Sequence, residues 1–115
     1  MPAKTIKAVY APQMRVVYVS HPFTGNEWNN RQDAREVCRR LHKQHPDWCI
    51  VNPIDTFWWA EFLDISYDDI LKHCIILLLY CDAIYLCRGW QESTGCRAEY
   101  AAALENGIEV IYKRG

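Results

Sequence analysis

AIYLCRGWQESTGCRAEYAAALENGIEVIY, residues 83–112, reads as a strand, a loop, a helix and a second strand. Ala83-Ile84-Tyr85-Leu86-Cys87 is an apolar run bounded by Asp82 and Arg88-Gly89, which fits a strand. Ser93 or Thr94 offers a helix cap, and an alanine-rich helix runs from there to Glu105. Asn106-Gly107 stops it, because glycine readily takes the left-handed conformation that ends helices. Glu109-Val110-Ile111-Tyr112 is then a strand reached through a helix, the connection that parallel pairing needs.

Upstream the same alternation repeats. Arg15-Val16-Val17-Tyr18-Val19-Ser20 is a β-branched apolar run, the mark of a strand buried on both faces. His21-Pro22-Phe23-Thr24-Gly25-Asn26 is a loop rich in turn residues. The following helix is expected to be capped by Asn29 or Asn30, with Asp33 in its first turn and Ala34, Val37, Cys38 and Leu41 as its apolar stripe. Arg31, Arg35, Arg39, Arg40 and Lys43 fill much of the remainder as a solvated face. His45-Pro46-Asp47 ends that helix, Trp48-Cys49-Ile50-Val51 is a short strand, and Asn52-Pro53 ends the strand. Residues 54–66, with Phe57, Trp58, Trp59, Phe62 and Leu63, read as a short amphipathic helix. A firmer helix is expected over Ser66–Tyr80, with Tyr67, Leu71, Cys74, Ile75 and Leu78 on one face. Residues 1–14 carry two prolines and no clear period, and are expected to form an arm ahead of one domain over 15–115. Strands alternating with helices predict an α/β fold: a three-layer, doubly wound domain with a mostly parallel sheet of four or five strands, Rossmann- or flavodoxin-like.

At 115 residues and 13.5 kDa, the chain suits a single core. Thirteen basic residues against fourteen acidic ones give a net charge of -1, which argues against a nucleic-acid polymer as partner. The longest uncharged apolar run, Cys74 to Cys81, is far short of the roughly 20 residues that span a bilayer. Met1-Pro2-Ala3-Lys4-Thr5-Ile6-Lys7 lacks the apolar stretch of a signal peptide, so the expectation is a soluble cytoplasmic protein with no membrane partner. The cysteines at 38, 49, 74, 81, 87 and 96 form no Cys-x-x-Cys pair, and His42, His45 and His73 have no partners at metal spacing. Reduced, packed thiols and no metal are expected. No Gly-x-Gly-x-x-Gly follows the first strand, no Gly-x-x-x-x-Gly-Lys-Ser/Thr occurs, and no Gly-x-Ser-x-Gly elbow is present. No cofactor is expected.

In a doubly wound sheet, ligands bind beyond the carboxyl ends of the strands, where strand order reverses. The loops arriving there supply Ser20, His21, Phe23 and Gly25 after the first strand, Asn52 and Asp55 after the second, and Gly89, Trp90, Ser93 and Gly95 after the third. The free N–H groups of a helix starting at Ser93 favour an anion such as a phosphate or a carboxylate. Glu99 falls about one turn into that helix. It is either a surface carboxylate placed well near a helix N-terminus or one aimed into the crevice as nucleophile or base. His21 is either a catalytic base or a residue that caps a turn or contacts solvent.

Three segments together resemble the nucleoside 2-deoxyribosyltransferase-like superfamily, which includes the deoxynucleoside 5′-monophosphate N-glycosidases and small phage and bacterial members. They are Val17-Tyr18-Val19-Ser20-His21-Pro22-Phe23-Thr24-Gly25, then Cys81-Asp82-Ala83-Ile84-Tyr85-Leu86 with Gly89-Trp90, and last Ser93-x-Gly95-x-x-x-Glu99-x-x-x-Ala103. The resemblance implies that Glu99 is the nucleophile that attacks the anomeric carbon of a 2-deoxyribose, and that Tyr18 orients nucleophile and sugar. It implies that Ser93 and Gly95 serve the 5′-phosphate or 5′-hydroxyl, and that the protein is a homo-oligomer. A carboxylate suits that chemistry, since it stabilises or traps the oxocarbenium-like centre left by the departing base. Phe23, Trp28 and Trp90 are candidates to stack on the base, against ordinary packing.

The resemblance also implies an Asp eight residues before Asp82, where this chain has Cys74. A thiol has neither the charge nor the acid strength of a carboxyl group. Asp55, Asp64, Asp68 and Asp69 are the alternatives, so help to the leaving base is unassigned. The expected function is cleavage or transfer of the N-glycosidic bond of a 2′-deoxynucleoside or its 5′-monophosphate. The alternatives are a non-catalytic nucleotide-binding or sensing module, favoured by Cys74, and an interaction protein whose Phe57, Trp58, Trp59 and Phe62 form an oligomer interface.

Overall fold

The computed structural model describes residues 11 and 13–113. The expected arm, residues 1–14, lies almost wholly outside them. Ten elements follow in order: β1 (Arg15–Ser20), α1 (Glu27–Gln44), β2 (Trp48–Val51), α2 (Pro53–Thr56), a 3-10 turn (Trp58–Ala60), α3 (Tyr67–Leu78), β3 (Ala83–Leu86), a second 3-10 turn (Trp90–Glu92), α4 (Thr94–Glu105) and β4 (Glu109–Tyr112). The strands form one all-parallel sheet in the order β2-β1-β3-β4, which makes the fold α/β and Rossmann-like as expected. The chain leaves β1 towards one edge and β3 towards the other, so strand order reverses between β1 and β3.

Alternation along β1 divides the core. Val17 and Val19 face α1, packing with Val37, Leu41, Ala83, Tyr85 and Cys87. Tyr18 faces the opposite layer with Leu78, Cys81, Ile84, Leu86 and Ala103, so α3 and α4 cover that side. Ser20, two residues beyond Tyr18, shares its face and is equally buried. Asp82 enters β3 with its backbone N–H on the Val16 carbonyl at 2.8 Å, while its carboxylate accepts from the Val16 N–H at 2.8 Å.

Ser66 and Ser93 cap α3 and α4, their hydroxyl oxygens accepting from the N–H groups of Asp69 at 3.1 Å and Cys96 at 3.2 Å. Gly107, at φ +66°, ends α4 in the left-handed region. Two expectations need correction. Helix α1 begins at Glu27, after Asn26, and neither Asn29 nor Asn30 caps it. Asn30 is already inside the helix, its N–H on the Asn26 carbonyl at 2.9 Å, and its side-chain amide donates to the Phe23 carbonyl at 2.9 Å. Asp33 consequently lies beyond the first turn and meets His21.

Residues 54–66 do not form one amphipathic helix either. Pro53 opens a single turn, a 3-10 turn follows, and Phe62 sits at φ +69°. The apolar residues there share no common face against the sheet: Phe57 packs near Trp59 and His73, whereas Phe62 is 98% exposed. With no single stripe to bury, nothing holds those residues in one helix.

Candidate active site

Glu99 reaches the switch point because of helical spacing. Cys96, Glu99 and Ala103 recur at three- and four-residue intervals on the buried face of α4, and Glu99 is only 6% exposed. Its Oε1 accepts from the Ser20 hydroxyl at 2.8 Å, and its Oε2 accepts from the Tyr18 hydroxyl. The parity of β1 places both donors on the α4 side, so one strand supplies a fork of hydroxyls to one carboxyl group. Burial pushes the Glu99 carboxyl up to about 7, against the lowering effect of these two bonds. Burial, then the Glu99 charge, holds Tyr18 well above the ordinary phenol range, so it stays a neutral donor.

The carboxyl opens on a cavity of about 620 Å³, which falls within the range typical of small-molecule sites. The β1 loop contributes His21, Phe23 and Thr24, and α1 contributes Glu27 and Arg31. Helix α3 contributes Tyr67, Ile70, Leu71 and Cys74, while Ser93, Gly95 and Cys96 come from the start of α4. Pro53, Phe57, Glu61 and Ile65 close another side. Gly95 allows a close approach: a Cβ there would collide with the Tyr67 hydroxyl, which would have to move. Tyr67 is raised by burial and then by Glu99, while a bond with Thr24 opposes the shift. Burial and the Glu99 charge push the Cys74 thiol up to about 12. Glu99 therefore changes charge near neutrality, whereas its neighbours Tyr18 and Cys74 stay protonated there.

The structure brings Tyr18, Ser20 and Glu99 into contact, and sets His21, Phe23, Ser93 and Gly95 on the same cavity. Both His21 nitrogens are engaged, Nδ1 with the Pro22 carbonyl and Nε2 with the Asp33 carboxylate, each at 2.6 Å, which leaves neither free to act as a base. The other sequence candidates lie elsewhere. Gly25 sits in the turn before α1 and does not line the cavity. Asp55 is gripped by the Arg35 guanidinium at 2.9 Å, and with Asn52 it lines a separate shallow hollow on the α1 side. Gly89 and Trp90 line a small hollow with Tyr112, where Trp90 packs on Tyr100 with ring centres 4.8 Å apart. Trp28 is 72% exposed. None of Asp55, Asp64, Asp68 and Asp69 lines the cavity, and Asp69 pairs with Lys72 at 3.3 Å.

Sequence reasoning missed Arg31, which sits among charges read as a solvated face, and Glu27, which no motif marks. It placed Tyr67 on an apolar helix face beside Cys74, which the resemblance marked as the position of an aspartate, and nothing local distinguishes a hydroxyl that turns into a cavity from one at a core boundary. Glu61 had no signal. Among the described residues no cluster of His, Cys, Asp and Glu could hold a metal ion, and no helix is long and apolar enough to cross a membrane. All six cysteines are free.

The family described as Domain of unknown function (DUF4406) matches residues 15–112. A solved structure of a 2-desoxiribosyltransferase from Leishmania mexicana is similar, with a TM-score of 0.60 and 20% sequence identity over 85% of this chain. The chain spans 63% of that protein's length. The fold is thus nucleoside 2-deoxyribosyltransferase-like. No curated protein matches the sequence.

Proposed function

The chain belongs to the family described as a domain of unknown function (DUF4406), and we propose that it cleaves or transfers the N-glycosidic bond of a 2′-deoxynucleoside or its 5′-monophosphate, with Glu99 as nucleophile. One observation carries this reading: a buried carboxyl, held by two buried hydroxyls and ionising at about 7, opens on a cavity at the point where strand order reverses. The ionised carboxylate attacks C1′ of the sugar as the C1′–N bond breaks, and the electron pair leaves with the base. Water then attacks C1′ of the glycosyl ester in hydrolysis, or a ring nitrogen of a second base does so in transfer. The C1′–Oε bond breaks to release the Glu99 carboxylate, and the proton that the attacking water or base loses ends on the departed base. Tyr18 and Ser20 hold the carboxylate in one orientation, so little reorganisation accompanies the attack. Tyr67 closes the cavity beside Gly95. The free N–H groups at the start of α4 suit the 5′-hydroxyl or 5′-phosphate.

Incubating the protein with each deoxynucleoside and monophosphate, with and without an acceptor base, tests the proposal. Free base that disappears in Glu99→Gln supports it, whereas a folded protein that releases no base from any substrate refutes it. A second reading, a nucleotide-binding or sensing module without turnover, is favoured by Cys74. Its thiol cannot act as an acid near neutrality, and no aspartate lines the cavity in its stead. Calorimetry that detects a bound nucleotide which is never consumed would select this reading. Homo-oligomerisation is part of the proposal, and light scattering checks it.

A further inference from the structure

We infer that the end of the cavity formed by α1 and residue 61 selects nucleosides whose base carries a carbonyl beside a ring N–H, the lactam edge of guanine, hypoxanthine, thymine and uracil, with Arg31 and Glu61 reading that edge. The inference rests on the nucleoside reading above and names its substrate class.

Arg31 enters the cavity wall from α1 with only 14% of its side chain exposed. Its Nη1 lies 3.6 Å from Glu61 Oε2, an ion pair beyond hydrogen-bond reach. Its Cζ stands 5.5 Å from the centre of the Phe23 ring, which holds the guanidinium through cation–π attraction without using an N–H donor. Among the described residues the Arg31 side chain makes no hydrogen bond. Arg35, one turn further along α1, shows the contrast: three bonds at 2.9–3.2 Å engage it with Asp55. A guanidinium carries five donors, and with the half-exposed Glu61 carboxylate 3.6 Å away as its ion-pair partner these face the cavity, open to acceptors from a ligand or water.

Glu61 places carboxylate lone pairs beside those donors, and both residues line the cavity that Glu99 opens on. The pair therefore presents donors next to an acceptor. A lactam edge is its complement, since the carbonyl accepts from the guanidinium and the ring N–H donates to the carboxylate. With the sugar held at Glu99 and the base in the pose that a lactam takes, adenine and cytosine present an amino group to the guanidinium and a bare ring nitrogen to the carboxylate, so in that pose both contacts set like against like. A phosphate at Arg31 is disfavoured, because Glu27 and Glu61 flank it on the same wall.

The test is calorimetric titration of Glu99→Gln protein with deoxyguanosine, deoxyinosine, thymidine and deoxyuridine, against deoxyadenosine and deoxycytidine. The lactam nucleosides are expected to bind roughly ten- to a hundredfold more tightly. Adding Arg31→Gln or Glu61→Gln should bring that ratio towards one, with melting curves confirming the fold. If Arg31→Gln does not fold, the ratio itself and Glu61→Gln decide. Deoxyguanosine against thymidine shows which ring size fits. Equal affinity for both classes, or a ratio that neither folded variant changes, overturns the selection while leaving bond cleavage intact. Selective binding without base release from the unsubstituted protein overturns cleavage and leaves the selection standing. No binding of any of these nucleosides or of their 5′-monophosphates overturns both.

Discussion

The carboxyl of Glu99 governs the site at the scale of single residues. As the proposed nucleophile it acts in its ionised form, so kcat/KM for base release should rise with pH through about 7. Glu99→Gln should lower the rate on the order of a thousandfold or more. The Tyr18 hydroxyl favours the ionised form, so Tyr18→Phe should move the acid limb of that profile upward by about one pH unit. Ser20→Ala should move it in the same direction. Stability carries the opposite sign. The folded carboxyl titrates at about 7 and the unperturbed one at 4.5, so the native chain keeps a proton that the unfolded chain has lost between those values. Stability attributable to this group is therefore present below about 4.5 and falls away as pH rises through about 7. Glu99→Gln should be the more stable protein at pH 8, by up to about 3 kcal/mol, with the gap closing towards pH 5. Melting temperatures at the two pH values check this.

Elements decide what those residues can reach. The start of α4 lies so close to Tyr67 of α3 that a side chain at 95 would have to push the Tyr67 hydroxyl aside. Gly95→Ala should destabilise the fold by about 1–3 kcal/mol through overpacking. Combining it with Tyr67→Phe, which removes the colliding hydroxyl, should recover part of that loss, and a double-mutant cycle in urea measures the coupling. Strands and longer helices were legible because each buries a face with a regular period: the 34, 37, 38, 41 stripe of α1 and the run of β3 stand where their spacing indicates. Segment 54–66 was not legible. Its aromatic density mimics an amphipathic face, yet Pro53 opens a lone turn and no partner element lies beneath Phe62. The start of α1 was misplaced because three asparagines compete as caps within five residues, and only the path of the loop chooses Asn26.

Across the whole molecule, six free thiols share the chain without a bridge. Reductant should leave the unfolding curve unchanged. Cys49 is exposed whereas Cys81, Cys87 and Cys96 are buried, so a thiol reagent should label Cys49 first and reach those three only on unfolding. Burial raises Cys87 and Cys96 and slows them further. Composition, hydrophobic period and capping residues determined the layers, the parallel sheet and the strand ends at which ligands gather, because these properties are local and repeat along the chain. Only the tertiary structure decided that β1 parity gives Glu99 two hydroxyl partners, that Asp55 turns to Arg35, and that Arg31 enters the cavity wall with its donors unspent. Those outcomes depend on contacts between residues far apart in sequence, and no local pattern distinguishes a charge facing water from one facing a cavity.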